Sequence, residues 1–556
     1  MKNNTRLFTS LMATLTLVFG SLVPVVKAET FDQIQKQSIT QLQQNSNQLS
    51  VVNQAATAQT VATQVTYTHQ IHPNENNEYV FKTEGGSFEV KALHPVVEGL
   101  EFLIYNTETE ETISPSSTGV FSLTAGTYVF LVLNYSDTVL NYEYVVNGQF
   151  SEQPDVTLPS LQTTSPSKSD IRLEKGASKV FTFSGSSDAD ELKLYSSTDE
   201  ITLTAPGTFQ QNVTLRNGYN FYSLNATEKS GNAITSYYSV ALPSVTRFQG
   251  KDRYEVSSNI SKEFSAIGAN NSGTIILARG DVFSDALSGG PLAYSEGAPI
   301  LLTATLSLPD SVKEQIKQLG PERAVILGGT GSISPNVEMQ LKALGVSTIE
   351  RIGGKDRFAV SASVGERVSN IQESDTAIIA SGEVFPDALS ASSLAGPAGM
   401  PVLLVKSGEV PDSIQTYIKN HPEIKNFIVV GGPATVKETV VDQIKNLHSG
   451  AYVERISGKD RYDVSINVAK YGIENYGMDL STVAVARGDL FPDALSGAPF
   501  ANYFMAPILL TTTNTLETKV NSFLTSHSGE TNNIYIFGGT GSVSQNTENQ
   551  LNSLIK

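Results

Sequence analysis

The stretch TIILARGDVFSDALSGGPLAYSEGAPILLT, residues 274–303, decides the fold, because the chain uses it three times. It returns at 376–405 as TAIIASGEVFPDALSASSLAGPAGMPVLLV and at 482–511 as TVAVARGDLFPDALSGAPFANYFMAPILLT. Each copy is an apolar β-branched run, a small-residue turn with a carboxylate, Phe, Asp-Ala-Leu-Ser, a small-residue helix and a second apolar run. Neither run alternates, as expected of strands covered on both faces. The residues between them are too many for a hairpin and suit a helical crossover. Each stretch therefore reads as a β-α-β unit.

Outward from this stretch the register stays tight. Arg247-Phe248-Gln249-Gly250-Lys251-Asp252-Arg253-Tyr254 opens copy one, Arg351 to Phe358 (RIGGKDRF) copy two and Arg455 to Tyr462 (RISGKDRY) copy three, in steps of 104 residues. Each copy closes on a strand that ends in paired glycines, Gly328-Gly329, Gly431-Gly432 or Gly538-Gly539. Strands alternating with helices at this spacing predict parallel α/β layers, one per repeat. A period near one hundred residues is too long for a solenoid, so the expectation is three similar Rossmann-like modules at 244–348, 349–452 and 453–556.

The rest of the chain reads differently. Residues 1–28, with Lys2, Arg6, an apolar stretch from Leu11 to Phe19 and Val26-Lys27-Ala28, have the form of an export signal cut after Ala28. Residues 29–62 are a polar spacer. Short alternating runs predict a β-sandwich at 63–150 and an immunoglobulin-like one at 169–243, joined by a Ser/Thr/Pro-rich linker at 151–168. The Asn-Glu-Asn-Asn run at 74–77 is taken as a turn signal between strands. The fold class is thus multidomain: two all-β domains, then three tandem parallel α/β modules.

Composition narrows function. The formal charge is −17, and residues 244–556 hold 25 Lys+Arg against 32 Asp+Glu. Bulk attraction to nucleic acid or anionic lipid is disfavoured, so an anionic ligand needs local, ordered cations. Cysteine is absent, which excludes disulfides and thiolate metal sites. His69 and His72 have metal spacing but no third ligand, and no metal or cofactor is expected. No Gly-x-Ser-x-Gly, His-Glu-x-x-His or Walker lysine occurs.

The openers, the Phe-x-Asp-Ala-Leu-Ser motifs and the Gly-Gly-Thr-Gly-Ser turns closely resemble the type 2 cell-wall-binding repeat family over about residues 244–556. Copy two departs at the turn, where Pro433-Ala434 follow the glycines. The resemblance implies a Gram-positive surface protein held noncovalently, through three modules packed around a pseudo-threefold, to an anionic secondary wall polymer of teichoic or teichuronic type. It also implies that any other activity, or a ligand for display, belongs to the β domains. Proteins with such repeats include autolytic amidases, so a wall hydrolase or its modifier is the alternative, and an adhesin for host ligands a third.

On the residues alone, the openers put cations beside a helix start, where free N–H groups and the helix dipole favour phosphate or carboxylate. Arg253, Arg357 and Arg461 are then candidate bidentate grips, with Arg247, Arg351 and Arg455 behind them and Lys251, Lys355 and Lys459 alongside. The competing reading makes these residues ion pairs between modules, and both readings stay open. Asp252, Asp356 and Asp460 are expected to cap helices or orient an Arg. Asp285, Asp387 and Asp493 are read as N-terminal helix positions in a capping or structural role. Asp281, Glu383 and Asp489, four residues earlier, would make catalytic pairs with them only if one site were built three times. The paired glycines are expected to allow a tight turn from strand to helix.

Overall fold

The structure, a computed structural model, describes residues 62–555 apart from 94–98, 110, 115, 117–119, 137, 197–198, 271 and 284. The export signal and nearly all of the spacer lie outside the described residues. The chain divides into two compact units, one ending at Leu242 and the other beginning at Pro243. No helix among the described residues is long and apolar enough to cross a membrane.

The first unit is β-rich and is organised by one strand of 18 residues, Glu75–Ala92. It runs antiparallel to Val120–Asn134 from Glu75 to Glu89, and its far half also pairs with Leu140–Phe150. Gly85 and Gly86, at φ of +100° and +124°, sit where the register against Leu140–Phe150 shifts, a conformation that favours glycine. Alternation sends Tyr67, Tyr79, Phe81, Phe88, Phe130 and Phe150 into one aromatic core. A second core, around Phe183, Leu194, Leu224 and Val240, draws side chains both from a three-stranded sheet and from the hairpin Gly218–Thr227/Ala233–Leu242.

Two expectations are corrected here. Asn-Glu-Asn-Asn is not a turn throughout: only Asn74 takes the left-handed conformation (φ 53°), while Glu75 to Glu78 lie in the strand and pair with Ser236 to Ala233. That ladder makes both β blocks part of one 11-stranded sheet, a long-range pairing that local polarity does not reveal. Within the predicted linker, Leu161–Ser165 is a strand on Val180–Ser187. Its Ser and Thr suggest a linker, but Leu161 packs against the core and Thr163 accepts a hydrogen bond from the Tyr238 hydroxyl at 3.2 Å.

The second unit holds three four-stranded parallel sheets. The first runs Ile300–Thr303, Thr274–Arg279, Arg323–Leu327, Thr348–Ile352 from edge to edge, and the second repeats that order with Val402–Val405, Thr376–Ser381, Asn426–Val430 and Tyr452–Ile456. Sheets and sequence repeats are offset by one strand. The strand that opens copy two completes the sheet of copy one, and the strand that opens copy three completes that of copy two. Ser244–Phe248, which opens copy one, lies parallel to Asn533–Phe537 and completes the sheet of copy three, so the triplet closes on itself.

The small-residue helices Gly289–Ser295, Pro386–Ala395 and Pro492–Tyr503 pack on one another at the centre. Their close approach needs small side chains: a Cβ at Gly290 would collide with Ser392, and one at Gly396 with Asn502. Pro386 and Pro492 open their helices at the first position. The sequence has Ser284 there in copy one, whose helix begins only at Gly289, so Asp285 precedes it rather than sitting in its first turn. Across the first two copies, Arg323 and Arg367 both bond the buried Glu296 carboxylate. Burial pushes that carboxyl up, but the two guanidinium groups outweigh it and hold it below its usual range.

Two outcomes follow from this packing. Burial raises the Glu75 and Glu78 carboxyls from 4.5 to about 7, so the folded β-rich unit binds protons that the unfolded chain releases. Stability gained at low pH is then lost as pH rises from 4.5 through about 7, on the order of 3 kcal/mol for each group. Calorimetry of the full chain should show the β-rich transition melting several degrees higher at pH 5.5 than at pH 8, and Glu78→Gln should remove about half of that dependence; an unaltered slope would clear Glu78 of the effect. Separately, Phe248 packs on Phe500, Tyr535 and Phe537, far along the chain. Phe248→Ala should destabilise the triplet by about 3 kcal/mol in urea unfolding.

Candidate functional site

In each copy the C-terminal ends of the strands carry three loops: the opener, the acid–aliphatic–Phe loop and the paired-glycine turn. The openers' first arginines are internal. Arg247 Nε and Nη2 donate to Glu548, and Nη1 donates to the Gly538 carbonyl at 2.8 Å. Arg351 bonds Glu338 and the Gly328 carbonyl, and Arg455 bonds Glu438 and the Gly431 carbonyl, in the same way. These guanidinium groups clamp each paired-glycine turn to the strand beside it.

The second arginines also face inward. Arg253, Arg357 and Arg461 each donate Nη1 to a glycine carbonyl, of Gly280, Gly382 and Gly488, at 2.6 Å. Each reaches the copy before it. Arg253 acts on the Asp493 carboxyl and Arg461 on that of Asp387, while the Arg357 guanidinium lies 5.4 Å over the Phe283 ring. Both the polymer-grip and the module-joining readings were open for these residues, and the geometry gives all six arginines partners within the triplet. Lys251, Lys355 and Lys459 differ: all three are exposed, and none has an ion-pair partner among the described residues.

Asp252, Asp356 and Asp460 precede helices Arg253–Ala266, Arg357–Ile371 and Arg461–Tyr476, and each accepts two backbone N–H bonds from the first turn. Asp460 also takes the Lys519 ammonium at 2.8 Å. Asp387 and Asp493 are buried, which raises their carboxyls, and accept from the Thr435 and Ser542 hydroxyls at 2.9 and 2.8 Å. Asp285, Asp387 and Asp493 lie against Gly328, Gly431 and Gly538, where a Cβ would collide with the carboxylate. Those glycines also have φ of +105°, +118° and +111°, so both space and backbone demand them. Their neighbours Gly329, Gly432 and Gly539 have room for a Cβ.

The acids proposed as partners of these aspartates are engaged elsewhere. Asp281 forms a two-pronged pair with Arg279 at 2.6 and 2.9 Å, Asp489 pairs with Arg487 in the same way, and Glu383 accepts from Ser407 N at 2.9 Å. Arg279 holds the Asp281 carboxyl below its usual range by direct hydrogen bonding. His69 is lowered by burial and by His72. No group of three or more His, Asp or Glu among the described residues is placed to hold a metal ion.

Sequence reasoning gave no role to two sets of residues that the fold brings together. Phe283, Phe385 and Phe491 come from three different copies and meet ring to ring at 5.5, 5.7 and 5.9 Å. Arg279 and Arg487 lead into the same loops in copies one and three, where copy two has Ser381. The signal was present, since Phe follows acid–aliphatic in every copy, but pairwise contact between copies is not visible in one dimension.

Cell wall binding domain 2 (CWB2) matches this chain at residues 247–338, 351–441 and 455–548. The chain is 30% identical over 308 residues to N-acetylmuramoyl-L-alanine amidase LytC of Bacillus subtilis (strain 168), covering 55% of this chain and 58% of that protein. It is 31% identical over 321 residues to the amidase enhancer of the same organism, covering 57% and 42%. The chain thus spans about half the length of these relatives. Cwp6 from Clostridium difficile superposes with a TM-score of 0.53 at 22% identity, covering 70% of this chain and 67% of that one. Cwp8 from the same organism does so at 0.50 and 18%, covering 88% and 93%. At such identities the two structures speak to fold alone.

The inward and outward cations should separate by stability. Arg253→Gln is expected to lower the triplet's urea stability by about 2 kcal/mol, because it takes the donor from the Gly280 carbonyl and a compensating charge from the buried Asp493. Lys355→Gln should change it by less than about 0.5 kcal/mol. Equal effects would contradict the assignment of inside and outside.

Proposed function

Residues 247–548 belong to the cell wall binding domain 2 family, and from that premise we propose that the chain is an exported surface protein held noncovalently on a Gram-positive wall. In this reading the three repeats bind an anionic secondary wall polymer of teichoic or teichuronic type. The β-rich unit is what the anchor displays. The carrying observation is that three copies form one closed unit, with Lys251, Lys355 and Lys459 exposed, and without an ion-pair partner among the described residues, beside capped helix starts. Local ammonium groups can attract phosphate or carboxylate even on a chain of net charge −17, since screening confines their field to about 8 Å at physiological salt.

The second reading is a peptidoglycan amidase or a modifier of one, and the names of the two Bacillus relatives favour it. Both matches are about as long as the repeat region, so they are also what a shared wall anchor would leave behind. The chain is read as a binding protein rather than an enzyme.

Full-length protein mixed with purified wall sacculi tests both. Retention on native sacculi and release after acid extraction of secondary polymers are expected. The combined Lys251→Gln, Lys355→Gln and Lys459→Gln variant should bind native sacculi about tenfold more weakly and be released at lower salt than the wild type. Equal retention before and after extraction would sink the polymer reading, and a clearing band in a peptidoglycan gel would favour the amidase.

A further inference from the structure

The acid–aliphatic–Phe loops carry an arrangement that neither capping nor core packing requires. Asp281-Val282-Phe283, Glu383-Val384-Phe385 and Asp489-Leu490-Phe491 each follow a strand of the central pair in their sheet. Their phenylalanines form one cluster, and all three rings remain partly exposed. Two of the aliphatic residues beside them are more exposed still, Val384 by 40% and Leu490 by 41%, while Val282 is half-buried. Apolar side chains left open at equivalent points of different copies mark a surface that something covers.

The loops that carry the patch are not threefold alike. Those of copies one and three begin with an Arg–Asp pair, Arg279–Asp281 and Arg487–Asp489. Copy two has Ser381 instead, whose hydroxyl accepts from Glu383 N, and the Glu383 carboxylate turns away to Ser407 N. The turn changes in the same copy: Pro433-Ala434 stand where copies one and three have Thr330-Gly331 and Thr540-Gly541, and in copy three Arg487 reaches the Gly541 carbonyl at 3.4 Å. Two independent features therefore depart together in copy two.

We infer that the patch is a single composite sugar site: one pyranose ring of the wall glycan sets its C–H face against the mutually inclined, partly exposed rings of Phe283, Phe385 and Phe491, and its hydroxyls bond the Arg–Asp pairs of copies one and three. Copy two, without a pair, is the side across which the glycan chain continues. The inference rests on the wall-binding reading above and deepens it. A pyranose offers an apolar C–H face to aromatic rings and an edge of hydroxyls that planar donor–acceptor pairs match. A bare polyanion would gain nothing from the rings and would meet carboxylates at the rim. An apolar peptide would leave the Arg–Asp pairs unused.

Glycan released from Gram-positive sacculi by mild acid and size-fractionated to short fragments is the probe, titrated calorimetrically into the full chain. One fragment per chain is expected, not three. Leu490→Ser with Val384→Ser, both at exposed positions and so compatible with folding, should weaken binding about tenfold, and Arg279→Ser with Arg487→Ser by a similar factor. Phe385→Ala should do at least as much, with Phe385→Leu and thermal melting as controls for folding. Three equal sites per chain, or unchanged affinity in the serine variants while the wild type still binds sacculi, would overturn the composite site and leave wall binding intact. Failure of the wild type to bind sacculi at all would overturn the wall-binding reading itself.

Discussion

The second unit depends on one parallel ladder, the pairing of Ser244–Phe248 with Asn533–Phe537. Without it the sheet of copy three would have a bare edge, and the strand that opens the region would have no partner. With it, every copy both gives a strand to a neighbour's sheet and receives one. Arg247 reinforces the closure, since its partners Glu548 and Gly538 lie at the far end of the chain. The arginine clamp that joins adjacent copies elsewhere here joins the last to the first.

Closure also explains how the cations are divided. A ring of modules needs cohesion at three junctions, and Arg253, Arg357 and Arg461 supply it by reaching carbonyls in their own copy and carboxylates or a ring in the preceding one. Guanidinium suits that work, because it holds its charge when half-buried and donates in several directions. Lysine, a hydrated point charge on a flexible stem, stays outside. One short motif, Gly-Lys-Asp-Arg, thus splits into a free cation, a helix cap and a joint.

Much of this was legible in the sequence, and the rest failed for identifiable reasons. The triple register and the β-α-β units could be read because apolar runs without alternation, separated by a helix-length segment, have few other solutions. The owner of each opener strand could not: a strand joined through helices to the strands on either side of it fits the sheet before it or the one after it equally well on local grounds, and Thr348–Ile352 pairs with Arg323–Leu327 before it. Glu75 to Glu78 looked like a turn because four polar residues in a row normally avoid the interior, and only the pairing with Ala233 to Ser236 places them there. The role of Phe283, Phe385 and Phe491 was hidden for a related reason, since each ring has its partners in other copies.

The offset between sheets and repeats has a consequence for how such a gene can change. In an open array, unequal recombination between near-identical repeats adds or drops a unit at little structural expense, because each unit touches only its neighbours. Here the circle is already full. A fourth copy would have to be inserted between a donor strand and the sheet that receives it, and a missing copy would leave two partners that cannot meet. The number three is therefore a property of the geometry, and drift among the copies, as at Ser381 and Pro433, is the variation that remains open.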